Sequence, residues 1–282
     1  MPITCDNSYN YFHFSLQKII QISNPQEKFE SFERFYQNFL NSDVNFETNY
    51  IPVKFNEPSY SKICNIVNPR LVAKRKNFTT NEGRAILIHA IAHIEYSAID
   101  LALDAAYRFS NMPHKFYTDW LEVASDEIRH FKMLEELLLS LGYKYGDFDV
   151  HNSLFEASQR SNTLVERMAV VPRFLEANGL DATPFILEKL KKDIENIGIK
   201  NLIEVLDIIL YEEIEHVRKG DEWFKYACDE KNLSYEVYFE ILERYYPDSF
   251  PKRKGLNVEA RKKSGFSCDE LNRMSSENIC NE

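Results

Sequence analysis

Residues 127–130 read Glu-Ile-Arg-His, and residues 213–216 read Glu-Ile-Glu-His. Each tetrapeptide lies in a long stretch rich in Leu, Ile, Glu and Lys, which are residues that favour helices. Because residues three apart share one face of a helix, each segment directs a carboxylate and an imidazole to the same point. Two such pairs, with one Glu from each of two further helices, form the ligand set of a di-iron or di-manganese carboxylate centre in a four-helix bundle.

The composition of the chain favours a folded helical protein and argues against nucleic acids and anionic membranes as general binding partners. Its 282 residues are 44% hydrophobic and include eight Gly, which suits one large domain with extensions and a sizeable core. The net charge of −10 argues against a general nucleic-acid or anionic-membrane surface. There is no visible secretory signal, and we expect no apolar stretch to be long enough to span a bilayer. We therefore predict a cytoplasmic protein with no membrane partner.

The cysteines give no sign of a disulfide framework or a thiolate metal site. The five Cys are scattered, odd in number, and form no Cys-x-x-Cys motif. Such usage is typical of reduced thiols in a cytosolic protein. We therefore predict that all five thiols are free.

Helical periodicity predicts a bundle in the middle of the chain. Gly179 and Pro184 are candidate kinks within its third helix. The four long helices are predicted near residues 81–110, 113–141, 153–196 and 200–229.

The flanking segments are predicted to be extensions of this bundle. A helix over Pro25–Leu40 is followed by a proline-punctuated extended segment, and small helices are expected near residues 235–246 and 258–274. The predicted domains are an N-terminal extension packed on the bundle, the four-helix bundle with its two metals, and a C-terminal helical extension: residues 1–80, 81–230 and 231–282.

The two Glu-x-x-His segments lie on apolar stripes that should face the core. Glu127 and His130 share their stripe with Trp120 and Leu134, and Glu213 and His216 are flanked by Leu206, Ile209 and Val217. Buried carboxylates and imidazoles are costly unless they are paired or bind a metal. We therefore predict that all four side chains are metal ligands.

The first bundle helix supplies Glu95, which lies on an apolar stripe rich in small residues. His89 and His93 also lie on this helix, at the spacing of a metal-binding pair. They face a different direction from Glu95, so we interpret them as structural or as groups that orient the ligands.

The third bundle helix offers two candidates, Glu176 and Glu166. The stripe around Glu176 is apolar, whereas that around Glu166 is more polar. Glu176 also precedes Glu213 by a distance comparable to that between Glu95 and Glu127. We predict Glu176 as the ligand, and Glu166 as the alternative ligand or as the ion-pair partner of an Arg.

The donor set suits iron or manganese, including one ion of each, because it contains carboxylates and imidazoles but no thiolate; zinc is an alternative. Groups that could orient the imidazoles are Asp100, Asp126 and Asp207. Three tyrosines near the predicted site are interpreted as core residues, with electron or proton relay as the alternative: Tyr96, Tyr117 and Tyr211.

The chain resembles the ferritin-like superfamily, and more closely a widespread bacterial family of ferritin-like proteins known as a domain of unknown function. The resemblance covers about residues 81–274. Its specific strings include His-Ala-Ile-Ala-His-Ile-Glu at 89–95, Asp-Glu-Ile-Arg-His-Phe at 126–131, Leu-Glu-Ala-Asn-Gly-Leu-Asp at 175–181 and Leu-Asn-Val-Glu-Ala-Arg at 256–261.

This resemblance implies an all-α, ferritin-like four-helix bundle with N- and C-terminal extensions. The characterised relatives that it implies are the di-iron hydroxylases that modify tRNA. They share a Glu-Ala-Arg stretch in the third helix, which supports Glu176. This chain has Asn178 where Arg is expected, so a salt bridge at that position is not implied.

The superfamily contains several activities, so the fold leaves the reaction open. Two metals bridged by carboxylates can bind dioxygen or peroxide and share the electrons that break the O–O bond, and on this ground we predict an oxidase or monooxygenase. Its substrate would be a small molecule or a modified nucleoside, and an oxygenase would need an external electron donor. The alternative is a non-catalytic iron-binding or peroxide-detoxifying protein. The acidic net charge argues against tRNA as the substrate but does not exclude it. The sequence leaves open whether the protein is a homodimer or a monomer.

Overall fold

A computed structural model describes residues 10–251 and 255–281. Parts of the predicted extensions, at residues 1–9, 252–254 and 282, lie outside the described residues. The described chain is helical apart from loops and two isolated β-bridges. The prediction of an all-α fold is confirmed.

The chain divides into two compact units, Met1–Phe155 and Glu156–Glu282. The boundary falls within the segment 81–230 that the sequence assigns to one bundle.

The first unit is built on a long helical hairpin. The helix α3 begins after Thr80, whose side chain accepts a hydrogen bond from the backbone N–H of Gly83 and so caps the helix. The next helix, α4, begins directly after Pro113, and the two helices pack along their length. The bounds in this unit are α1 Phe12–Gln21, α2 Pro25–Leu40, α3 Asn81–Arg108 and α4 His114–Ser140, followed by α5 Ser153–Arg160, which crosses the boundary.

The helix α1 was not predicted, because its cap comes from a distant residue. Tyr11 precedes the helix and supplies no side-chain cap. Instead, the carboxylate of Glu47 accepts hydrogen bonds from the backbone N–H groups of His13, at 2.9 Å, and Phe14, at 2.8 Å. A negative charge at this end also suits the helix dipole. A cap 34 residues away in sequence leaves no local signal.

A buried ion pair ties α2 and the extended segment to α3. The ammonium group of Lys28 is fully buried and donates hydrogen bonds to Asp100, to the hydroxyl of Ser59 at 2.7 Å and to the carbonyl of Ile20 at 3.1 Å. Ser59 also donates to Asp100 at 2.5 Å. Asp100 therefore holds the N-terminal extension on α3, and the prediction that it orients an imidazole is wrong.

The helix α3 is long and apolar enough to cross a membrane by length and composition, contrary to the sequence expectation. However, 83% of the relevant window is buried inside the structure. The core helix of a soluble protein has the same properties.

The second unit contains α6 Leu164–Val170, a π-turn over Val171–Glu176, α7 Ala177–Leu190, α8 Ile197–Asp229, α9 Val237–Tyr245, α10 Val258–Lys263 and α11 Cys268–Met274. The predicted long third helix is interrupted at residues 161–163. Thr163 then caps α6 in a reciprocal capping box with Glu166. Pro184 lies inside α7 without ending it, so the distortion falls earlier, at the π-turn.

The prediction that all five thiols are free is wrong for two of them, because Cys268 and Cys280 form a disulfide. The chain after α11 folds back onto the helix, where the side chain of Asn272 binds the backbone of Ile279 and Cys280 through three hydrogen bonds. This local reversal brings together two cysteines whose spacing matches no motif. Cys64 and Cys228 are free and buried, and Cys5 lies outside the described residues.

Candidate metal centre

The first unit brings together Glu95 from α3 with Glu127 and His130 from α4, here called the Glu95 cluster. One ligand atom of each residue lies within 4.8 Å of the other two. The Nδ1 atom of His130 is 3.2 Å from a carboxylate oxygen of Glu95 and 3.5 Å from one of Glu127. Glu95 is 4% exposed, and Glu127 and His130 are fully buried. Two acids and an imidazole thus converge in the interior.

Local sequence explains how this cluster fits between two helices. Ala92, Ala98 and Ala102 are buried around Glu95 on α3 and leave space beside the acid. Glu127 and His130 are one turn apart on α4, so both side chains leave the helix on the same face. The hairpin therefore sets the cluster without any irregular backbone.

With both carboxylates ionised and no cation nearby, the Glu95 cluster would place two negative charges in the protein interior, which is unfavourable. Burial and the neighbouring Glu127 raise the pKa of Glu95 to about 8. Burial lowers the pKa of His130, but its hydrogen bonds to Glu127 and Glu95 and their charges outweigh burial and raise it to about 11. Without another positive charge, the cluster therefore holds protons. A divalent cation would supply that charge, so the donor set fits a metal.

The second unit carries Glu213 and His216 on α8, here called the Glu213 cluster. The Nδ1 atom of His216 lies 3.5 Å from a carboxylate oxygen of Glu213. His216 is fully buried, whereas the side chain of Glu213 is 14% exposed. The second Glu-x-x-His segment therefore also presents both side chains on one face.

Glu176 is the last residue of the π-turn, which packs on α8. Pro172 packs directly on Gly220 of α8, where an added Cβ would come within 2.2 Å of the proline ring. The short connection makes α7 and α8 antiparallel. Glu176 follows Pro172 by four residues and His216 precedes Gly220 by four, so in antiparallel segments the two residues lie on the same side of this contact and at a similar level.

Glu166 occupies a different position, at the start of α6. Its carboxylate accepts hydrogen bonds from the backbone N–H and the hydroxyl of Thr163. It also pairs with Arg244 at 2.9 Å. These contacts match the alternative interpretation of Glu166 as the partner of an Arg.

His89 and His93 hold the loop that follows α4. The carbonyl oxygen of His151 is 2.9 Å from His93 Nε2 and can only accept, so Nε2 carries the proton and Nδ1 accepts from the hydroxyl of Tyr145 at 2.9 Å. His89 Nε2 accepts a hydrogen bond from the backbone N–H of Gly146 at 2.9 Å. Both imidazoles are thus neutral structural groups.

Acid should destabilise the fold through these two histidines. Burial lowers the pKa of each from 6.5 to about 4. Between these values the unfolded chain binds more protons than the folded one, so stability falls as the pH drops from about 6.5 to 4. We expect the His89→Gln variant to show a smaller fall in the free energy of unfolding, measured with urea, between about pH 6.5 and pH 4. An unchanged fall would contradict the assignment of His89.

The remaining candidates are dispersed. Asp126 pairs with Arg129 at 3.0 Å on the surface, and Asp207 is exposed. Tyr96 and Tyr117 are buried, as expected of core residues. Tyr211 is 78% exposed, so its interpretation as a core residue is wrong.

These observations define an all-helical protein with one buried group of carboxylate and imidazole side chains that could hold a metal ion, and with a further Glu/His pair on α8. The chain belongs to the family described as "Protein of unknown function (DUF455)", whose model matches residues 21–272. It is 38% identical over 275 residues to a Haemophilus influenzae protein described as "Uncharacterized protein", and this match covers 92% of each chain. No solved structure matches the chain.

Proposed function

We propose that this protein is a di-metal carboxylate oxidoreductase that activates dioxygen or peroxide, as an oxidase or monooxygenase. The observation that carries the proposal is the convergence of Glu95, Glu127 and His130 in the interior of the first unit. Clusters of acidic side chains on a surface are solvated and need no ligand. A buried cluster of this kind costs free energy unless a cation balances its charge.

The proposal includes the ferritin-like four-helix bundle that the sequence predicts over residues 81–230. Glu95, Glu127 and His130 would hold one metal, and Glu176, Glu213 and His216 the other, with Glu127 and Glu213 as the bridging carboxylates. The repeated Glu-x-x-His pattern and the level of Glu176 support this assignment.

Iron is the proposed metal, with manganese or one ion of each as close alternatives and zinc as a further one. Oxygen and nitrogen donors without thiolate suit these ions. When bound, two redox-active ions supply the electrons that reduce an O–O bond. The protein residues exclude bulk water, fix the ions and hold the negative charge that stabilises their oxidised forms.

The proposed setting is the cytoplasm, with an external electron donor and a small-molecule substrate. A modified nucleoside is a second candidate substrate, because the chain resembles the tRNA-modifying hydroxylases. The acidic surface favours a small substrate over a whole tRNA, because an acidic chain lacks the charge that binds phosphate backbones.

The reaction is tested by loading the protein with two equivalents of Fe²⁺ without oxygen and then adding either dioxygen or peroxide. Oxygen consumption that exceeds that of free Fe²⁺, and that recurs after reduction, supports the oxidase or monooxygenase. Peroxide disproportionation without oxygen uptake would replace it with the peroxide-detoxifying alternative. Iron that binds without either reaction would leave an iron-binding protein.

The choice between Glu176 and Glu166 gives a separate prediction. We expect Glu176→Gln to weaken binding of one metal ion by at least about 100-fold, because it removes a charged ligand. Glu166→Gln is the matched control and should retain both ions, since that side chain serves Thr163 and Arg244. Equilibrium dialysis with Fe²⁺ measures both. Loss of an ion in Glu166→Gln, with retention in Glu176→Gln, would reverse the assignment.

A further inference from the structure

The π-turn that ends at Glu176 is held by a buried arginine. Arg173 lies in this turn, three residues before Glu176, and is fully buried. A π-turn has i→i+5 hydrogen bonds in place of i→i+4 and is rare, occurring mostly as a single turn within an α-helix. Its persistence therefore depends on surrounding contacts, and Arg173 has several.

The guanidinium group of Arg173 fills a cage of aromatic rings and carboxylates. Its central carbon lies 4.3 Å from the ring centre of Tyr238, 4.6 Å from that of Phe224 and 4.7 Å from that of Phe266. The hydroxyl of Tyr238 also donates to the carbonyl oxygen of Arg173 at 3.1 Å. Both the side chain and the backbone of this turn are thus fixed.

Two acids complete the cage from different helices. Asp221 of α8 lies 2.8 Å from Nε of Arg173, and Glu270 of α11 lies 2.7 Å from Nη2. Removing one acid would leave a buried positive charge short of a partner. The position of the π-turn therefore depends on α11, a short helix near the C-terminus.

The helix α11 is itself held by a capping box and by the disulfide. Ser267 caps the helix, and the second carboxylate oxygen of Glu270 accepts from the backbone N–H of Ser267 at 2.9 Å. The next residue, Cys268, is the first of the helix and forms the disulfide with Cys280. The disulfide therefore fixes the turn of α11 that presents Glu270 to Arg173.

We propose that Arg173 is a positioning residue for Glu176, and that the Cys268–Cys280 disulfide, by fixing Glu270, makes this positioning sensitive to thiols. This inference rests on the proposed function for the role of Glu176 as a ligand. A dithiol supplies two electrons and two protons, which convert the disulfide to two thiols while the dithiol becomes a disulfide. Reduction thereby removes the covalent link between α11 and the chain that follows, leaves the hydrogen bonds of Asn272 to hold it, and loosens the contact between Glu270 and Arg173.

Two variants isolate the contact and the disulfide. Glu270→Gln removes the charge while keeping the shape, and a Cys268→Ser, Cys280→Ser double variant removes the disulfide without leaving thiols that could bind metal. The matched control is Glu236→Gln, which breaks the exposed ion pair of Glu236 with Arg273, another α11 residue, and leaves Arg173 untouched.

The first measurement is amide hydrogen exchange in the metal-free full chain. Exchange of the peptide covering residues 171–178 should rise about tenfold in both test variants and in the wild-type protein after dithiol treatment. It should not rise in Glu236→Gln. Unchanged exchange in the test variants would overturn the inference, and this result needs no metal.

The second measurement is an oxygen-free titration with Co²⁺, followed by visible absorption. One of the two bound ions should bind about tenfold more weakly in both test variants, while the other is unaffected. Wild-type affinity for both ions in these variants would overturn the positioning role. If the wild-type protein bound no Co²⁺, the proposed function would fail, and hydrogen exchange alone would decide whether Arg173 and the disulfide hold the turn.

Discussion

Glu127→Gln should lose metal binding almost completely. The substitution keeps the size of the side chain but removes the negative charge of a fully buried residue that lies 3.5 Å from His130 and contributes to the Glu95 cluster. As a proposed bridge, Glu127 contacts both ions, so its loss should weaken both by at least about 100-fold. Metal analysis after equilibrium dialysis against Fe²⁺ measures the change.

The matched control is Glu136→Gln, which alters an exposed acid on the same helix. It should retain both ions. A folded Glu127→Gln protein that also retains both ions would refute the bridging role. Loss of one ion alone would instead indicate that Glu127 is a ligand only of the metal held by the Glu95 cluster.

Asp100→Ala should destabilise the first unit by about 3–5 kcal/mol, because it leaves the ammonium group of Lys28 buried without its charged partner. Lys28 is fully buried and joins α2, Ser59 and α3. Burial lowers the pKa of Lys28, although the charge of Asp100 and its hydrogen bond oppose this shift. Urea unfolding followed by circular dichroism measures the loss.

The control removes both charges. A Lys28→Met, Asp100→Leu double variant replaces the ion pair with apolar side chains and should recover most of the lost stability. If Asp100→Ala cost less than about 1 kcal/mol, the pair would behave as an exposed one. The assigned role of Asp100 in anchoring the N-terminal extension would then be wrong.

The long helices could be predicted from the sequence because their signals are local. The stretches that became α3, α4 and α8 combine periodic apolar residues with a recognisable start, such as Thr80 before α3 and Pro113 before α4. For α2, Asn24 as the cap and Pro25 at the first position mark the start. These signals do not depend on the rest of the fold.

Features that depend on distant contacts could not be predicted in the same way. The cap of α1 comes from Glu47, and the contacts around the π-turn involve Gly220 and Glu270. The disulfide needs the fold-back that Asn272 holds. Tyr211 lies within the pattern of α8 but points outward, because helical spacing alone does not define the edge of a buried face.

The candidate site was accessible to sequence analysis in part. A buried Glu-x-x-His is visible as a polar pair within an apolar stripe, which identified Glu127 and His130 together with their counterparts in α8. The choice on the third helix stayed open, although Thr163 and Glu166 have the spacing of a capping box. That signal identifies Glu166 as a helix-start residue and could have favoured Glu176.

The proposed function requires that buried carboxylates and imidazoles in this protein hold two metal ions. It is tested most directly by elemental analysis of the protein purified from its own host without added metal or chelator. The expected result is two ions of iron, manganese or both per chain, released by Glu127→Gln and retained by Glu136→Gln. A folded wild-type protein that contains no metal, and takes up none from Fe²⁺ or Mn²⁺, would contradict the claim.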